Sequence, residues 1–556
     1  MLQTADKICG HNIIGYDLPV LKKLYPDFTL NPDGERIDTL VISRVAFTDI
    51  KQGDYGRFHR GQLPGNLIGS YSLEAWGYRL GELKGTYGKQ KNAWDTWTPE
   101  MTKYCIQDVK VTAKLYERLK VRRLDPQCFE LEHKVATIIA QQEVNGFLFD
   151  VEKAEKLLAD LVVRRTEIAQ QLVPLFPPWF KPKGKIFTPK KDNKRHGYRE
   201  GCPMTKLELV EFNPNSRVHV ARVLKKHFGW EPTVFTENSG DPKIDDEILK
   251  LLPWPEAQLI GEYMMVQKRL GQLAEGDKAW FKYLNKTTGR IHGGVNSNGA
   301  VTGRMTHMNP NIGQVPSVDA PYGERCRELF RVPSPGYKQV GCDASGLEAR
   351  CLGHFLSRYD DGEYIDIVIN GDKKKGTDVH GRNMQALGLP KPKAKRWFYA
   401  WCYGAGDDLL GAIAGGDMKL GKKLRTKFLK AMPAIAKLID DIQKRAKEHG
   451  KIHGLDGRIV TCRSPHSALN TLLQGAGAII MKVALVLCDE RLKKEGIDYN
   501  FIANVHDEFQ IEVREDQAEF AGQIARQSII DAGVVLNFRC PLDAEFKIGN
   551  NWAETH

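Results

Sequence analysis

The sequence predicts an α+β protein of several domains, and three observations point to that class. The chain has 556 residues, which is enough for two to four domains with a large core. Long stretches such as residues 151–176 carry apolar side chains at helical spacing. By contrast, residues 508–513 alternate Glu508, Gln510 and Glu512 with apolar side chains, which is the period of a half-buried strand.

A predicted hairpin tip precedes that strand and carries a cluster of ionisable groups. Residues 501–503 predict the partner strand, and His506, Asp507 and Glu508 lie together at the turn. Three adjacent ionisable groups gain little from a core, whereas an acidic tip can hold hard cations through oxygen ligands. An ordinary polar turn is the alternative interpretation.

A second carboxylate, Asp343, follows a short apolar strand that runs into a helix. Two aspartates at the ends of neighbouring strands could hold two metal ions about 3.5–4 Å apart, as phosphoryl-transfer enzymes require. The sequence therefore predicts that Asp343 and Asp507 meet in space.

Composition narrows the class of partner. With 81 Lys and Arg against 69 Asp and Glu, the net charge is +12, which favours a polyanion such as nucleic acid, although it could serve solubility alone. Eleven cysteines without CxxC spacing predict reduced thiols, a cytoplasmic location and no structural zinc. The chain begins without a signal-peptide core and has no run of about 18 apolar residues, so no membrane span is predicted.

Residues 1–125 predict a small α/β unit with two features of chemical interest. Asp17 is expected at a strand end, and Tyr104 and Asp108 lie one helical turn apart on the same face. Solvated or capping roles are the alternative for all three.

Three later segments are rich in polar groups. Residues 177–210 are dense in Pro, Lys and aromatic residues and predict an irregular stretch, either a solvated loop or a lobe that contacts a phosphate backbone or a partner protein. Residues 286–316 predict short polar strands suited to a nucleic-acid groove, or to packing against a neighbouring domain. Residues 454–482 predict a tight turn and an amphipathic helix on which Asn470 and Gln474 lie one turn apart.

The helix predicted to begin near Pro392 carries a stripe of two lysines and two tyrosines. Lys391, Lys395, Tyr399 and Tyr403 recur every four residues and so share one face. Such a face could meet triphosphate oxygens at one end and a sugar or base at the other. An ordinary exposed face is the alternative.

Several of these segments together resemble the family A (polymerase I-like) DNA polymerases. DASGLEAR at 343–350, KPKAKRWFYAWCYG at 391–404 and VHDEF at 505–509 occur in the order and rough spacing of that family's three polymerase motifs. TGRMTHMNPNIGQVP at 302–316 and DGRIVTCRSPHSALNTLLQ at 456–474 resemble its primer–template contact segments. SLEAWGYRLGELKG, VQKRLGQLAEGDKAW and the closing NWA are most similar to the replicative polymerases of T-odd podophages.

The resemblance implies a right-hand polymerase fold, with an antiparallel palm sheet, helical fingers and thumb, and an N-terminal partial ribonuclease H-like 3′→5′ exonuclease domain. The implied activity is template-directed extension of a primer by dNTPs. The implied division is a truncated exonuclease-like domain at 1–125, palm start and thumb at 126–285 with a basic insertion at 177–210, palm at 286–355, fingers at 356–453, and palm with the C-terminal tail at 454–556.

The resemblance also implies catalytic roles for matching residues. Asp343 and Asp507, with the backbone carbonyl of Ala344, would hold two Mg²⁺ ions that activate the primer 3′-hydroxyl and neutralise the leaving group. Lys395 and His380 would bind the incoming triphosphate, and Lys395 would donate a proton to the leaving pyrophosphate.

Further matching residues would contact the nucleotide. Tyr399 would pack on the deoxyribose and, with Glu348, exclude a 2′-hydroxyl, whereas Tyr403 would stack beside the templating base. Lys391 would bind phosphate, although the family usually has Arg at its position, and a lysine lacks the planar fork of a guanidinium.

Four matching residues would contact DNA. Arg304 and Gln474 would read the minor-groove acceptors that all base pairs share, which tests shape rather than sequence. Asn470 would lie on the same helix face as Gln474, and His506 would contact the primer terminus.

Two departures from the family pattern bear on proofreading and partners. Asp17, Tyr104 and Asp108 resemble an exonuclease remnant, but the family's first carboxylate motif would lie before Met1. The expectation is therefore that the start is misplaced or truncated, or that this chain lacks proofreading. The insertion at 177–210 is much shorter than the thioredoxin-binding insertion of the phage relatives, which argues against a thioredoxin-type processivity factor.

The expected partners are primer–template DNA and dNTPs, with a phage helicase–primase as a further candidate. Two alternatives to the polymerase hypothesis stand: a 3′→5′ exonuclease with a degenerate polymerase body, and a non-catalytic DNA-binding component of a replisome.

Overall fold

The computed structural model describes residues 2–32, 34–122, 124–232, 234–236 and 239–556. Met1, before which the missing exonuclease motif is expected, lies outside them. The chain forms two compact units, which are called here the main unit (Met1–Asp150 with Tyr283–His556) and the small unit (Val151–Lys282). The finer five-part division stays a prediction.

The main unit begins with a small α/β region. Its elements are β1 (Lys7–Gly10), α1 (Leu18–Leu24), β2 (Glu35–Asp38), α2 (Thr39–Ala46), α3 (Ile50–His59), α4 (Leu73–Leu80), α5 (Pro99–Lys120), α6 (Pro126–Asn145) and β3 (Phe147–Phe149). Strands β1 and β2 pair in parallel. The Thr98 hydroxyl caps α5 by accepting a hydrogen bond from the Met101 amide at 3.1 Å. The ribonuclease H-like assignment of this region stays a prediction.

The small unit is mainly helical. Its elements are α7 (Val151–Leu172), β4 (Trp179–Phe187), β5 (Met204–Val210), α8 (Arg217–Phe228), α9 (Asp246–Leu251) and α10 (Pro255–Leu270). The prediction that residues 177–210 are irregular is wrong, because β4 and β5 pair as an antiparallel hairpin with Phe180 opposite Leu209. Both strands of a two-stranded ribbon are edges, so Pro182 is tolerated there although it lacks an N–H.

The rest of the chain completes the main unit. Its elements are β6 (Leu284–Asn285), β7 (Arg290–Ile291), β8 (Gly294–Asn296), β9 (Thr306–Met308), α11 (Gly323–Arg327), β10 (Phe330–Arg331), β11 (Tyr337–Ala344), α12 (Leu347–Leu356), α13 (Glu363–Asn370), α14 (Val379–Leu387), α15 (Lys391–Cys402), α16 (Asp407–Ala414), α17 (Met418–Ala431), α18 (Pro433–His449), β12 (Lys451–His453), β13 (Ile459–Thr461), α19 (Ala468–Lys494), β14 (Tyr499–Val505), β15 (Glu508–Arg514), α20 (Ala518–Val535) and β16 (Ala544–Gly549). The prediction that residues 286–316 form short polar strands is confirmed by β7, β8 and β9.

An antiparallel four-stranded sheet in the order β14-β15-β11-β16 lies at the centre of the main unit. Apolar residues of its strands belong to one buried cluster that extends through α6, α12, α15 and α19. The hairpin β14–β15 turns at His506 and Asp507, as the sequence predicts. The sheet therefore presents the end of β11 and the β14–β15 turn at one edge.

Strand β15 is buried on both faces, so the prediction of a half-buried strand is wrong. Glu508, Gln510 and Glu512 are at most 5% exposed. Each polar side chain is paired with a distant residue: Glu512 accepts hydrogen bonds from Arg290 at 3.0 and 2.8 Å, for example. Alternation of polar and apolar residues marks the two faces of a strand but does not reveal whether the polar face is solvated.

Helix α19 is buried around most of its circumference, and the prediction that it is amphipathic is wrong. It is not amphipathic, since nearly every residue from Gly475 to Val486 is buried. The stretch Pro465–Lys494 has the length and composition of a membrane span. However, 89% of its most apolar window is buried inside the protein, so packing in the core accounts for its composition.

Candidate active site

Two aspartates from distant parts of the chain lie at the same edge of the central sheet. Asp343 is next to the last residue of β11, and Asp507 closes the turn before β15, the strand that pairs with β11. The amide of Ala344 donates a hydrogen bond to the backbone oxygen of Asp507 at 3.0 Å. The ladder therefore ties the two carboxylate-bearing segments together, as the sequence predicts.

Burial and neighbouring carboxylates raise the pKa values of both aspartates. Burial, followed by the charge of Asp507, raises the pKa of Asp343 to about 7. Burial, followed by the charge of Glu348, raises the pKa of Asp507 to about 6. A hard divalent cation bound beside these carboxylates would relieve the electrostatic repulsion from their neighbours.

The described residues include no group of three or more His, Cys, Asp or Glu arranged to hold a metal ion. The candidate protein ligands at this edge are the carboxylates of Asp343 and Asp507, with backbone oxygens such as that of Ala344. Phosphate oxygens of a substrate commonly complete such a site.

Glu508, the third residue of the predicted acidic tip, is bound elsewhere. Its carboxylate is buried and accepts hydrogen bonds from Trp552 Nε1 at 2.7 Å and from His556 Nδ1 at 2.5 Å. Sequence reasoning grouped Glu508 with Asp507, because the C-terminal partners could not be inferred from local pattern.

Helix α15 carries its predicted stripe on an open face. Trp397 and Phe398 are buried in the core, so the opposite face of the helix packs against the protein interior. Lys395 is exposed, and Tyr399 is half-buried with its ring centroid 5.8 Å from that of His380. Lys391, at the start of the helix, lies 3.5 Å from Asp378 through Nζ and Oδ1.

His380 brings a neutral imidazole to this face. Burial, followed by the charge of Lys395, lowers its pKa. Its Nδ1 is buried and has no hydrogen-bond partner among the residues that the structure describes. An unpartnered polar atom beside an exposed lysine is suited to bind a substrate oxygen.

Glu348, on the first turn of α12, joins two of the other predicted site residues. Tyr403 donates a hydrogen bond from Oη to Glu348 Oε1, and Arg304 Nη2 lies 3.7 Å from the same oxygen. The Tyr403 ring is 42% exposed, so one face remains open for stacking. The sequence also predicts that Glu348 acts together with Tyr399. Burial, followed by the charge of Glu348, raises the pKa of Tyr399 to about 12, so the two residues interact electrostatically.

The predicted DNA-contact residues lie on separate elements of the main unit. His506 is exposed at the hairpin tip and adopts a left-handed backbone conformation with φ 57°, which is uncommon outside turns and functional sites. Although the residue as a whole is exposed, its imidazole is partly shielded from water, and this desolvation, followed by the charge of Arg304, lowers the pKa of His506. On α19, Gln474 is half-buried, and Asn470 has a buried Oδ1 without a hydrogen-bond partner among the described residues.

Sequence reasoning missed a buried ionic cluster behind Arg304. Lys482 and Arg458 both contact Glu132 Oε1 at 2.6 Å, and Lys482 also donates to Asn298 Oδ1 at 2.8 Å. Asn298 belongs to the loop that leads to Arg304, so the cluster holds this loop against α6 and α19. A lysine inside an otherwise apolar helix was the signal that could have found it.

The exonuclease-like residues lie in a separate cleft of the main unit. Asp17 and Asp108 line a cavity of about 720 Å³. Lys84 Nζ lies 3.0 Å from Asp108 Oδ2 and 5.1 Å from the ring centroid of Tyr104. A third carboxylate near this cleft, Asp38, accepts hydrogen bonds from the backbone amides of residues 12, 14, 40 and 41.

Comparison with known proteins finds one matching family and several similar proteins. Residues 202–554 match the model of the family described as DNA polymerase family A. The DNA-directed DNA polymerases of Enterobacteria phage T3 and Escherichia phage T7 are each 39% identical over 659 aligned positions, which cover 99% of this chain and 92% of the relative. The polymerase domain of Pol1 from M. smegmatis, solved with DNA primer-template and dNTP, superposes with a TM-score of 0.71 over 96% of this chain and 84% of that one at 17% identity, a likeness of fold.

Proposed function

Since this chain belongs to DNA polymerase family A and is a template-directed DNA polymerase, we propose that Asp343 and Asp507 form its nucleotidyl-transfer centre. Family A polymerases use divalent metal ions, and the proposed ions are two Mg²⁺ held by both aspartates and the carbonyl of Ala344. When bound, such ions lower the pKa of a primer 3′-hydroxyl and neutralise the leaving pyrophosphate. The observation that carries the proposal is the β11–β15 pairing, which brings Asp343 and Asp507 to one sheet edge.

The open face of α15 is proposed to bind the incoming dNTP. Lys395 and Lys391 would attract the triphosphate oxygens, and His380 would donate or accept a hydrogen bond through its free Nδ1. Lys395 is the proposed proton donor to the leaving pyrophosphate, since it is exposed and lies on the same helix face as Tyr399.

The sugar and base are proposed to lie further along the same face. Tyr399, half-buried between His380 and the charge of Glu348, would pack on the deoxyribose and leave no room for a 2′-hydroxyl. Tyr403 would stack beside the templating base with its exposed ring, while Glu348 orients its hydroxyl.

Primer–template DNA is proposed to contact Arg304, His506, Gln474 and Asn470. Arg304 is the best supported of these, because the buried cluster around Glu132 fixes its loop.

A phage helicase–primase is a candidate partner on the basis of the phage relatives, whereas a thioredoxin-type processivity factor is not proposed. A cytoplasmic site of action is proposed, in keeping with eleven free cysteines.

The exonuclease activity of this chain is proposed to be impaired. Asp17 and Asp108 supply two carboxylates to the N-terminal cleft, but Lys84 already balances the charge of Asp108. Incubation of the protein with a single-stranded 3′ end and Mg²⁺ should give no measurable hydrolysis. Hydrolysis that disappears in Asp17→Ala would overturn this proposal.

Primer extension tests the polymerase site. Asp507→Ala should lower extension by at least about 10³-fold, because one of two ion-binding carboxylates is lost. The control is Asp516→Ala, which alters an exposed aspartate near the far end of the same hairpin and should leave extension within about twofold. Extension by Asp507→Ala at the parent rate, with primer–template affinity unchanged, would refute the assignment.

A further inference from the structure

The C-terminal segment 551–556, called the tail, returns to the strand that follows Asp507. We propose that this tail positions Glu508, and through it the Asp507 turn, for nucleotidyl transfer. The carboxylate of Glu508 is clamped by two tail residues, with Trp552 Nε1 at 2.7 Å from Oε1 and His556 Nδ1 at 2.5 Å from Oε2. An indole N–H can only donate, so Glu508 Oε1 accepts from Trp552, and His556 donates to Oε2 in the tautomer that carries its proton on Nδ1.

The tail is itself rigidly held. The Trp552 ring is fully buried and lies 5.8 Å from the rings of Phe147 and Phe330, and its amide donates to the Phe330 oxygen at 2.8 Å. The guanidinium of Arg327 stacks 4.5 Å from the Trp552 ring centroid and lies 3.7 Å from Glu508 Oε1. Trp552 thus presents its N–H from a fixed position.

A second attachment lies two residues further along the same strand. Thr555 donates a hydrogen bond from Oγ1 to Gln510 Oε1 at 2.8 Å, and both side chains are buried. Residues 508 and 510 point to one face of β15, so the tail fastens the start of the strand at two successive positions. The hairpin tip that carries Asp507 begins directly before the first of them.

The hydrogen bonds from Trp552 and His556 to Glu508 determine which carboxylates face the reacting groups. Glu508 lies opposite Asp343 in the β11–β15 register and directly follows Asp507, so a released Glu508 side chain could turn towards both. Burying a carboxylate without partners is costly, and the tail supplies the hydrogen bonds that keep it turned inward. Glu508 is thereby a positioning residue, and the open edge is left to the two aspartates.

This inference rests on the proposed function, and it is tested in the full-length protein with Mg²⁺ as the ion. Trp552→Phe keeps an aromatic ring in the buried site but removes the N–H donor together with part of the indole, whereas His556→Ala removes the second donor. Each should lower kcat for primer extension about tenfold, the size of a coupling between hydrogen-bonded neighbours. Each should also raise the Mg²⁺ concentration at half-maximal rate, while primer–template affinity stays within about twofold. His556→Asn, which retains a donor near the position of Nδ1, should recover part of the loss.

A double-mutant cycle separates positioning from general destabilisation. In a Glu508→Gln background His556→Ala should add less than about twofold, because the group that it positions is already altered. The control is Arg514→Ala at the opposite, exposed end of β15, which should leave kcat and the Mg²⁺ dependence unchanged.

Three results would overturn the inference: parental kcat in both folded tail variants, losses that add fully to that of Glu508→Gln, or a loss of thermal stability with an unchanged Mg²⁺ dependence. If Asp507→Ala is inactive while the tail variants behave as the parent, only the role of the tail is wrong. If Asp507→Ala is active, the proposed centre itself is wrong.

Discussion

The main unit has two aspartate sites, the edge of the central sheet with Asp343 and Asp507 and the N-terminal cleft with Asp17 and Asp108. The two sites balance their negative charge differently. At the sheet edge, the largest influence on the pKa of each aspartate after burial is the charge of another carboxylate. For Asp343 this carboxylate is Asp507, and for Asp507 it is Glu348. In the N-terminal cleft, burial raises the pKa of Asp108, but Lys84 opposes this with an ion pair at 3.0 Å.

The difference shows where a divalent cation has most to contribute. Carboxylates that repel one another lower their free energy when a cation binds between them, whereas an aspartate already paired with lysine gains less. The same residue type is thus the proposed ion ligand at one site and half of an ion pair at the other.

The largest expected effect comes from removing one carboxylate at each place. Asp343→Asn should reduce primer extension by at least about 10³-fold, because a neutral amide cannot replace an ionised ligand. Asp108→Asn should leave extension within about twofold, since its charge is balanced locally. Single-turnover extension assays under identical conditions measure both, and equal losses in the two variants would abolish the distinction.

A smaller effect is expected at the sheet-edge site from Lys395, on the face of α15 that is proposed to bind the dNTP. Lys395→Ala should lower kcat about 10²-fold, as expected for loss of a general acid. Lys393→Ala, which changes an exposed lysine of the same helix that lies 3.4 Å from the Ala414 oxygen, should change kcat less than about threefold. A kcat for Lys395→Ala that matches the Lys393→Ala control would rule out the proton-donor role.

Metal-free stability gives a third comparison, in which pH is the variable. The folded pKa of Asp343 is raised from 3.8 to about 7, so its contribution to stability is present below pH 3.8 and is lost as the pH rises through 7. In chelator, Asp343→Asn should therefore melt about 1–3 °C above the parent at pH 8. This gain should vanish near pH 4, and calorimetry that finds the same gain at both pH values would contradict the repulsion.

The smallest effect is expected for Lys84→Ala. The ion pair with Asp108 is only partly buried, so its loss should lower the free energy of unfolding by less than about 1 kcal/mol. Urea denaturation measures this change, and primer extension should remain within about twofold of the parent. A stability loss several times larger would mean that the pair holds the cleft together rather than only balancing charge.

The functional elements were predicted well wherever the signal was local. The strand that ends at Asp343, the turn at Asp507 and the open stripe on α15 follow from alternation, turn position and four-residue spacing. Failures occurred where the outcome depended on distant partners. The hairpin at 177–210 forms because two segments align in register, and α19 is buried because strands and helices surround it.

By itself the sequence determined which residues share a helix face or a strand end, because these relations depend only on backbone geometry over a few residues. The tertiary structure alone decided which charges are paired. Glu512 is paired with Arg290 and Asp108 with Lys84, and Glu508 is hydrogen-bonded by the tail, whereas the pKa values of Asp343 and Asp507 are raised by burial and by neighbouring carboxylates. The reason is that electrostatic balance is set by distance in space, and residues far apart in the chain are brought close only by the packed fold.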